Sequence, residues 1–392
     1  MWRPVLIILQ PTPFCNINCD YCYLRSRDDR TIMGAEVVGA IRDRIFPRIA
    51  ADSAPAIIWH AGEPTVVPVA WYRHAYVELR RTAPAHATFS LQSNGIAISQ
   101  DWILFAKETE TQIGLSIDGP RFFHDLRRKT KNGKGTWALV MHALSKLQNA
   151  GINPNVVTVL HPLSLDAADE YFEFYRHHGI THVSFSIDEA EGCNSKSSFD
   201  REEQRDAIVE FFFSLLRRAV VEKYPLHIKE VERIAGVLAG GTLHNEQIEA
   251  WQVLVVAANG DVTTFSPEFM EVRSAPHNHF NFGNVLRDDF DEILQSGLVA
   301  ATQAQIRRGV ERCRQQCRYF AVCGGGAPAN KIQENGSLES SETLFCRMSV
   351  QPSAEAFRKL VQWGTRQARP DYSILANQVL DNEVFVEQAV NQ

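Results

Sequence analysis

Six short apolar runs, rich in β-branched and aromatic residues, recur through the first half of the chain at positions 5–9, 56–60, 88–92, 112–117, 155–160 and 182–187. Each has the length and near-continuous apolarity of a strand covered on both faces, as in a parallel sheet. Between them lie stretches with helical periodicity at 35–50, 71–81, 100–107, 136–149 and 166–177, the last closing before Gly179. Alternation of strand and helix through six units predicts an α/β protein, either a barrel or a doubly wound sheet. No segment approaches the ~18 uninterrupted apolar residues of a membrane span. The 392 residues are enough for roughly two domains.

The polar residues that carry chemistry fall just past the carboxyl ends of these runs. Cys15, Cys19 and Cys22 follow the first, Gly62-Glu63 the second and Asn94-Gly95 the third; Ser116 and Asp118 end the fourth, and Asp188-Glu189 the sixth. Both architectures place active sites there, so one shared pocket is expected while the architecture stays open. From about residue 200 the alternation stops. A long amphipathic helix at 201–222 leads to β-like runs at 253–257 and 261–264 around Asn259-Gly260, a strong hairpin signal. A cysteine-rich loop at 313–330 and a helical tail at 353–367 follow. The expected division is 1–200, a bridging helical region at 201–252, a smaller cysteine-bearing unit at 253–350 and a tail at 351–392.

Eight cysteines stand at 15, 19, 22, 193, 313, 317, 323 and 346. Seven fall in two sets, the clustering of metal ligation and not of a disulfide framework. The eighth, Cys193, is expected to be a buried or chemically indifferent thiol. Cys15-x3-Cys19-x2-Cys22 offers three thiolates, which leave one iron of a [4Fe-4S] cluster without a protein ligand; a zinc site using Cys19 and Cys22 is the alternative. Cys313, Cys317, Cys323 and Cys346 make a complete set for a tetrahedral zinc or a fully ligated cluster, and spacing alone leaves both open. A net charge of −6 argues against general nucleic-acid affinity, although the basic stretch 127–134 is either a local patch or a solvated loop. The run at 5–9 is too short for a secretory signal and no small-residue cleavage site follows it, so a cytoplasmic protein is expected.

The segment Phe14-Cys15-Asn16-Ile17-Asn18-Cys19-Asp20-Tyr21-Cys22-Tyr23 resembles the radical S-adenosylmethionine (SAM) superfamily, whose motif C-x3-C-x-Φ-C it matches throughout. The resemblance implies a partial (β/α)6 TIM-type barrel in which SAM chelates the open iron of a [4Fe-4S] cluster. One-electron cleavage of SAM then yields a 5′-deoxyadenosyl radical. It places Tyr21 beside the adenine. His60-Ala61-Gly62-Glu63-Pro64 is similar to the family's Gly-Gly-Glu segment, with Ala61 for the first glycine, and implies that Gly62 and Glu63 hold the SAM amino group. Ser116 and Arg128 match positions used for its ribose and carboxylate. Gln92, Asn94 and Gly95 resemble the third-strand segment, or form an Asn-Gly turn. The later region resembles the SPASM extension, which usually carries seven cysteines and two auxiliary clusters. Phe265 and Ala327 stand where cysteines are expected, which implies one auxiliary [4Fe-4S] cluster, closed, on Cys313, Cys317, Cys323 and Cys346.

Leu9-Gln10-Pro11-Thr12, the stretch from Trp59 to Pro64, Lys129-Thr130 with Gly133-Lys134-Gly135-Thr136, Thr264-Phe265-Ser266-Pro267-Glu268, and Tyr319 through Asn330 resemble the cyclophane-forming maturases of the Grr type. This implies a ribosomally made precursor peptide as substrate and a reducing electron donor, with no nucleic-acid or membrane partner. The product would be a crosslink between an aromatic ring carbon and a β-carbon within a three-residue motif. Such chemistry needs a base; Glu268 is the candidate, with Asp118, Asp188 and Glu189 as rivals. Leader recognition is expected to use the extension, the bridging region or another protein. The alternatives are an anaerobic sulfatase-maturing, formylglycine-generating enzyme and, in another class, a zinc-stapled binding protein.

Overall fold

The computed structural model describes residues 2–274, 277–278 and 280–367. All six expected strands form: β1 (Leu6–Leu9), β3 (Ala56–Trp59), β4 (Thr88–Ser93), β5 (Gln112–Ser116), β7 (Asn155–Leu160) and β8 (His182–Ile187). Two short strands interleave with them, β2 (Ile17–Cys19) and β6 (Arg128–Thr130), and pair antiparallel with each other outside the main sheet. In the main sheet β1, β3, β4, β5, β7 and β8 run parallel and lie side by side in chain order, with β9 (His227–Ile228) at the far edge. A doubly wound sheet reverses direction at a switch point; none occurs here, and the winding is that of a partial barrel.

The strands are not covered equally on both faces, as the apolar runs predicted. In β8, Val183, Phe185 and Ile187 are buried under the helices, whereas Ser184 and Ser186 are only half-buried on the other face. Ser90, Gln92, Ser116 and Asn155 of the neighbouring strands join Ser184 around a cavity of about 550 Å³. An open barrel leaves its inner face to water and ligand, and alternation with period two follows from that.

The hairpin is present, β10 (Val253–Val256) against β11 (Asp261–Thr264), with Gly260 at φ +85° in the turn. Its place was not legible in the sequence: β10 pairs in parallel with β1, Leu6 opposite Val253 through Leu9 opposite Val256. The cysteine-bearing region is therefore built directly onto the first barrel strand. Helix Glu202–Glu222, one residue from its expected start, packs against helix Gln351–Arg366. The tail beyond residue 367 lies outside the described residues. Cys313 is not in a loop but in the last turn of the 20-residue helix Gly297–Gln316, and Cys323 ends the short helix Phe320–Cys323. Helical periodicity at 35–50 likewise breaks up, into Ala35–Ala40, a π-turn Ile41–Ile45 and a 3-10 turn Phe46–Arg48, because Pro47 removes a backbone donor.

Where the extension lacks cysteines, aromatic rings fill the space. Phe265 is fully buried in the left-handed region at φ +74°. Its ring lies 5.9 Å from Phe269 and 6.4 Å from Phe282, and Phe269 stacks on Phe280 at 4.2 Å.

Candidate functional site

The first three cysteines are brought together by a loop and a two-strand clip. The segment after β1 turns into β2, whose register with β6 sets Cys19 opposite Arg128. Arg27 closes the loop: its carbonyl accepts from the Cys15 amide at 3.0 Å and its guanidinium donates to the Cys19 carbonyl at 3.0 Å. Cys15, Cys19 and Cys22 line a pocket of about 320 Å³ at the carboxyl ends of the barrel strands. Burial pushes the Cys15 thiol up to about 12 and the Cys19 thiol up to about 11. Both are thus neutral until a metal displaces their protons.

Gly62 is required by close approach. It sits at φ +57°, and a Cβ there would lie 2.4 Å from the Thr12 carbonyl oxygen and 2.6 Å from that of Phe14, so the 61–63 turn presses on the cysteine loop. Ala61 beside it takes φ +73°, a left-handed conformation costing a non-glycine residue about 1–2 kcal/mol. Glu63 is anchored by its neighbours within the pocket. Its carboxylate is buried and accepts from the Thr65 amide at 2.9 Å, the Thr65 hydroxyl, the Ser93 hydroxyl at 2.8 Å and the Asn94 amide at 2.7 Å. These bonds tie the turn to the end of β4, and Glu63 lines the pocket together with Gly62.

The remaining expected SAM contacts share this pocket. Gln92 donates to the Ser116 hydroxyl at 3.0 Å. The Asn94 amide donates to Asn16 at 2.7 Å and faces the Cys15 sulfur at 3.9 Å. Tyr21 donates to Asp118 at 2.7 Å and accepts from Arg128 at 2.5 Å, while the Arg127 guanidinium covers its ring at 4.7 Å. Asp118 and Asp188 are thereby removed as candidate bases. Asp118 is held by Tyr21, the Val159 amide and, at 3.8 Å, Arg128; Asp188 accepts from Arg127 at 3.1 Å and from the Ser198 hydroxyl at 2.7 Å. Among the described residues, two that line the pocket beside the expected SAM contacts keep a buried polar atom with no protein partner, Arg128 Nε and His60 Nδ1. A buried donor without a partner is costly, and these atoms are left for a polar ligand. Three thiols, unpaired donors and a cavity of this size fit a cluster with SAM.

The same pocket has acidic residues in its lining. Glu189 follows β8, Glu191 lies in the next loop, and Glu268 comes from the 3-10 turn Pro267–Glu271 of the extension. Burial pushes the Glu268 carboxyl up to about 7 and that of Glu189 up to about 8, and burial with acidic neighbours raises Glu191 well above the usual carboxylate range. Of the candidate bases, Glu268 and Glu189 are thus in the pocket with their oxygens free of cations. Glu191, Tyr23 and His60 escaped the sequence reading. Only the position of Glu191 two residues past Glu189 could have signalled it.

Cys193 is exposed, which rules out the buried alternative for this thiol. Its thiol donates to the carbonyls of Cys22 at 3.1 Å and Leu24 at 3.3 Å, because its loop folds over the cysteine segment. The second thiol set is enclosed: Cys313, Cys317, Cys323 and Cys346 surround a cavity of about 20 Å³ beside Gly325 and Gly326. Lys331, 2% exposed, donates to the Cys313 sulfur at 3.3 Å, and Thr343 donates to Cys346 at 3.2 Å. Burial, then Cys323, pushes the Cys346 thiol up to about 12. Four thiols around a small cavity, whose lining also includes Glu342, fit a fully ligated cluster.

Residues 9–174 match the family described as the radical SAM superfamily. An uncharacterised protein of Synechocystis sp. is 35% identical over 358 residues, 89% of this chain and 90% of its own length. The serine-type anaerobic sulfatase-maturating enzyme of Bacteroides thetaiotaomicron is 22% identical over 88% of this chain and 87% of its own. The solved structure of anSMEcpe with bound AdoMet shares the fold with a TM-score of 0.73 at 19% identity, over 92% of this chain and all of its own. That of Streptococcus suis SuiB bound to precursor peptide SuiA does so at 0.63 and 14%, over 88% and 76%.

Proposed function

The chain belongs to the radical SAM superfamily, and on that premise we propose that it is a peptide maturase, joining an aromatic ring carbon to a side-chain β-carbon within a three-residue motif of a ribosomally made precursor. The observation that carries this reading is the lining of one pocket, which combines thiols and unpaired donors with carboxyls poised near neutrality. SAM and the [4Fe-4S] cluster supply, when bound, a carbon-centred radical able to take hydrogen from unactivated carbon. Cys15, Cys19 and Cys22 hold that cluster. Tyr21, Gln92, Asn94, Ser116, Arg128 and the backbone at Gly62 orient SAM, and Glu63 keeps the Gly62 turn in place. Cys313, Cys317, Cys323 and Cys346 hold the auxiliary cluster.

Restoring aromaticity after the crosslink releases one electron, for which the auxiliary cluster held by Cys313, Cys317, Cys323 and Cys346 would be the acceptor, and one ring proton. Glu268 takes the proton: the carboxyl lines the pocket, and a value near 7 suits a base at neutral pH. Net, the peptide loses two hydrogens. SuiB binds a precursor peptide, and its fold is shared, which supports a peptide in this pocket. The test is anaerobic reaction of the reconstituted enzyme with the small peptide encoded beside its gene. A product lighter by two hydrogens that does not fragment at the motif is expected; an unmodified peptide while SAM is consumed would sink the reading. Glu268→Gln should slow crosslinking by about 10²-fold or more and spare SAM cleavage. The crosslinking rate should fall as pH drops below about 7, since Glu268 is then protonated.

Similarity to the Bacteroides enzyme along most of both chains favours a second reading, oxidation of Ser or Cys to formylglycine. An aldehyde trapped by a hydrazide on the product peptide would select it. The aromatic filling around Phe265 weighs against it, as a second auxiliary cluster has no ligands there.

A further inference from the structure

The acidic residues of the lining lack a counter-charge. Glu189 accepts from Asn330 and from the Ser186 hydroxyl at 3.4 Å; the same Asn330 amide donates to Glu191 at 3.3 Å, and the Ser266 hydroxyl donates to Glu268. These partners are neutral, and Glu189 and Glu191 also hydrogen-bond to each other. Among the described residues, no Lys, Arg or His forms an ion pair with any of the three. The cations nearby are committed: Arg127 to Asp20 and Asp188, Arg25 to Glu271 and the Gly192 carbonyl, Lys331 to Cys313. Burying three carboxyls together is unfavourable unless protons or a cation join them.

A second observation points to what joins them. The Tyr23 hydroxyl is inaccessible to solvent, has no hydrogen-bond partner, lines the same pocket and lies in the field of Glu268 and Glu191. It is a donor without an acceptor beside acceptors without a charged donor. One group does not complement both, but one residue of a peptide does: a cationic side chain for the carboxylates and a main-chain carbonyl for the phenol. The groups proposed to orient SAM are Tyr21, Gln92, Asn94, Ser116 and Arg128, and the Tyr23 phenol is not among them.

We propose that Glu189, Glu191 and Glu268 with Tyr23 form a subsite for a Lys or Arg of the substrate peptide within two residues of the crosslinked pair. The inference rests on the peptide-maturase reading and names the class of substrate. Seating a cation there holds the neighbouring aromatic residue beside Glu268.

The holoenzyme is assayed anaerobically with the neighbouring precursor peptide in two forms, native and with the cationic residue nearest the crosslink replaced by Met. The Met form should show a KM raised about tenfold or more with kcat changed far less. Glu191→Gln should raise KM for the native peptide by a similar factor and leave the Met form unaffected, since the interaction it removes is already absent. A Met form with native KM, a crosslinked motif with no Lys or Arg within two residues, or a Glu191→Gln effect equal on both peptides overturns the subsite and leaves the maturase intact. A native peptide that returns unmodified while SAM is cleaved overturns the maturase reading, and the subsite with it.

Discussion

The two thiol sets use the same side chain for opposite ends. Cys15, Cys19 and Cys22 open onto about 320 Å³ lined by unpaired donors and buried carboxyls, whereas Cys313, Cys317, Cys323 and Cys346 enclose about 20 Å³. The first set sits on a loop at the mouth of the barrel. The second is carried by helix ends and a glycine run, Gly324 to Gly326, in which each residue has positive φ. The lesson is that ligand number follows from what the surroundings leave room for: three thiols beside a cavity keep a coordination position for a ligand, and four around a narrow gap leave none.

That contrast is broken or sharpened by four measurements. Cys19→Ala should abolish SAM cleavage while about four of about eight irons remain, and Cys346→Ala should remove a similar amount of iron yet spare SAM cleavage. If both variants lose SAM cleavage, the two sets do not have separate tasks. Phe265→Ala should cost about 3–5 kcal/mol, seen as a lower anaerobic unfolding midpoint, because the ring is fully buried where the extension lacks a cysteine. An unchanged midpoint would mean that the aromatic filling does not replace a lost cluster. Lys331→Met should make the auxiliary potential more negative by tens of millivolts, since a buried positive charge 3.3 Å from the Cys313 sulfur favours the reduced state; potentiometric EPR reads the shift. No shift would remove Lys331 from the site. The smallest effect is expected of Ala61→Gly, a gain of about 0.5–1 kcal/mol from relief of the left-handed backbone, offset in part by the freer unfolded chain. A loss of stability would show that the turn is not strained.

Much of this was legible before any coordinates. Strand and helix periods gave the six barrel units, and Asn259-Gly260 gave the hairpin, because these signals act over a few residues. Cysteine spacing marked both thiol sets. The anchoring of Glu63 was not legible, since a carboxylate that ties a turn to a strand end reads in the sequence like any other. Nor was the exposure of Cys193, which depends on a loop folding over residues 22–24.

The sequence by itself determined which elements form and which residues are able to bind iron, since periodicity, turn chemistry and thiol spacing are local. Only the tertiary structure decided that β10 pairs with β1, that Asp118 and Asp188 are spent on arginines, and that Glu189, Glu191 and Glu268 meet in one pocket. Asn330, which bridges Glu189 and Glu191, is 141 residues from Glu189 along the chain. Convergence over such distances is set by how the extension packs on the barrel edge, and no short-range pattern encodes it.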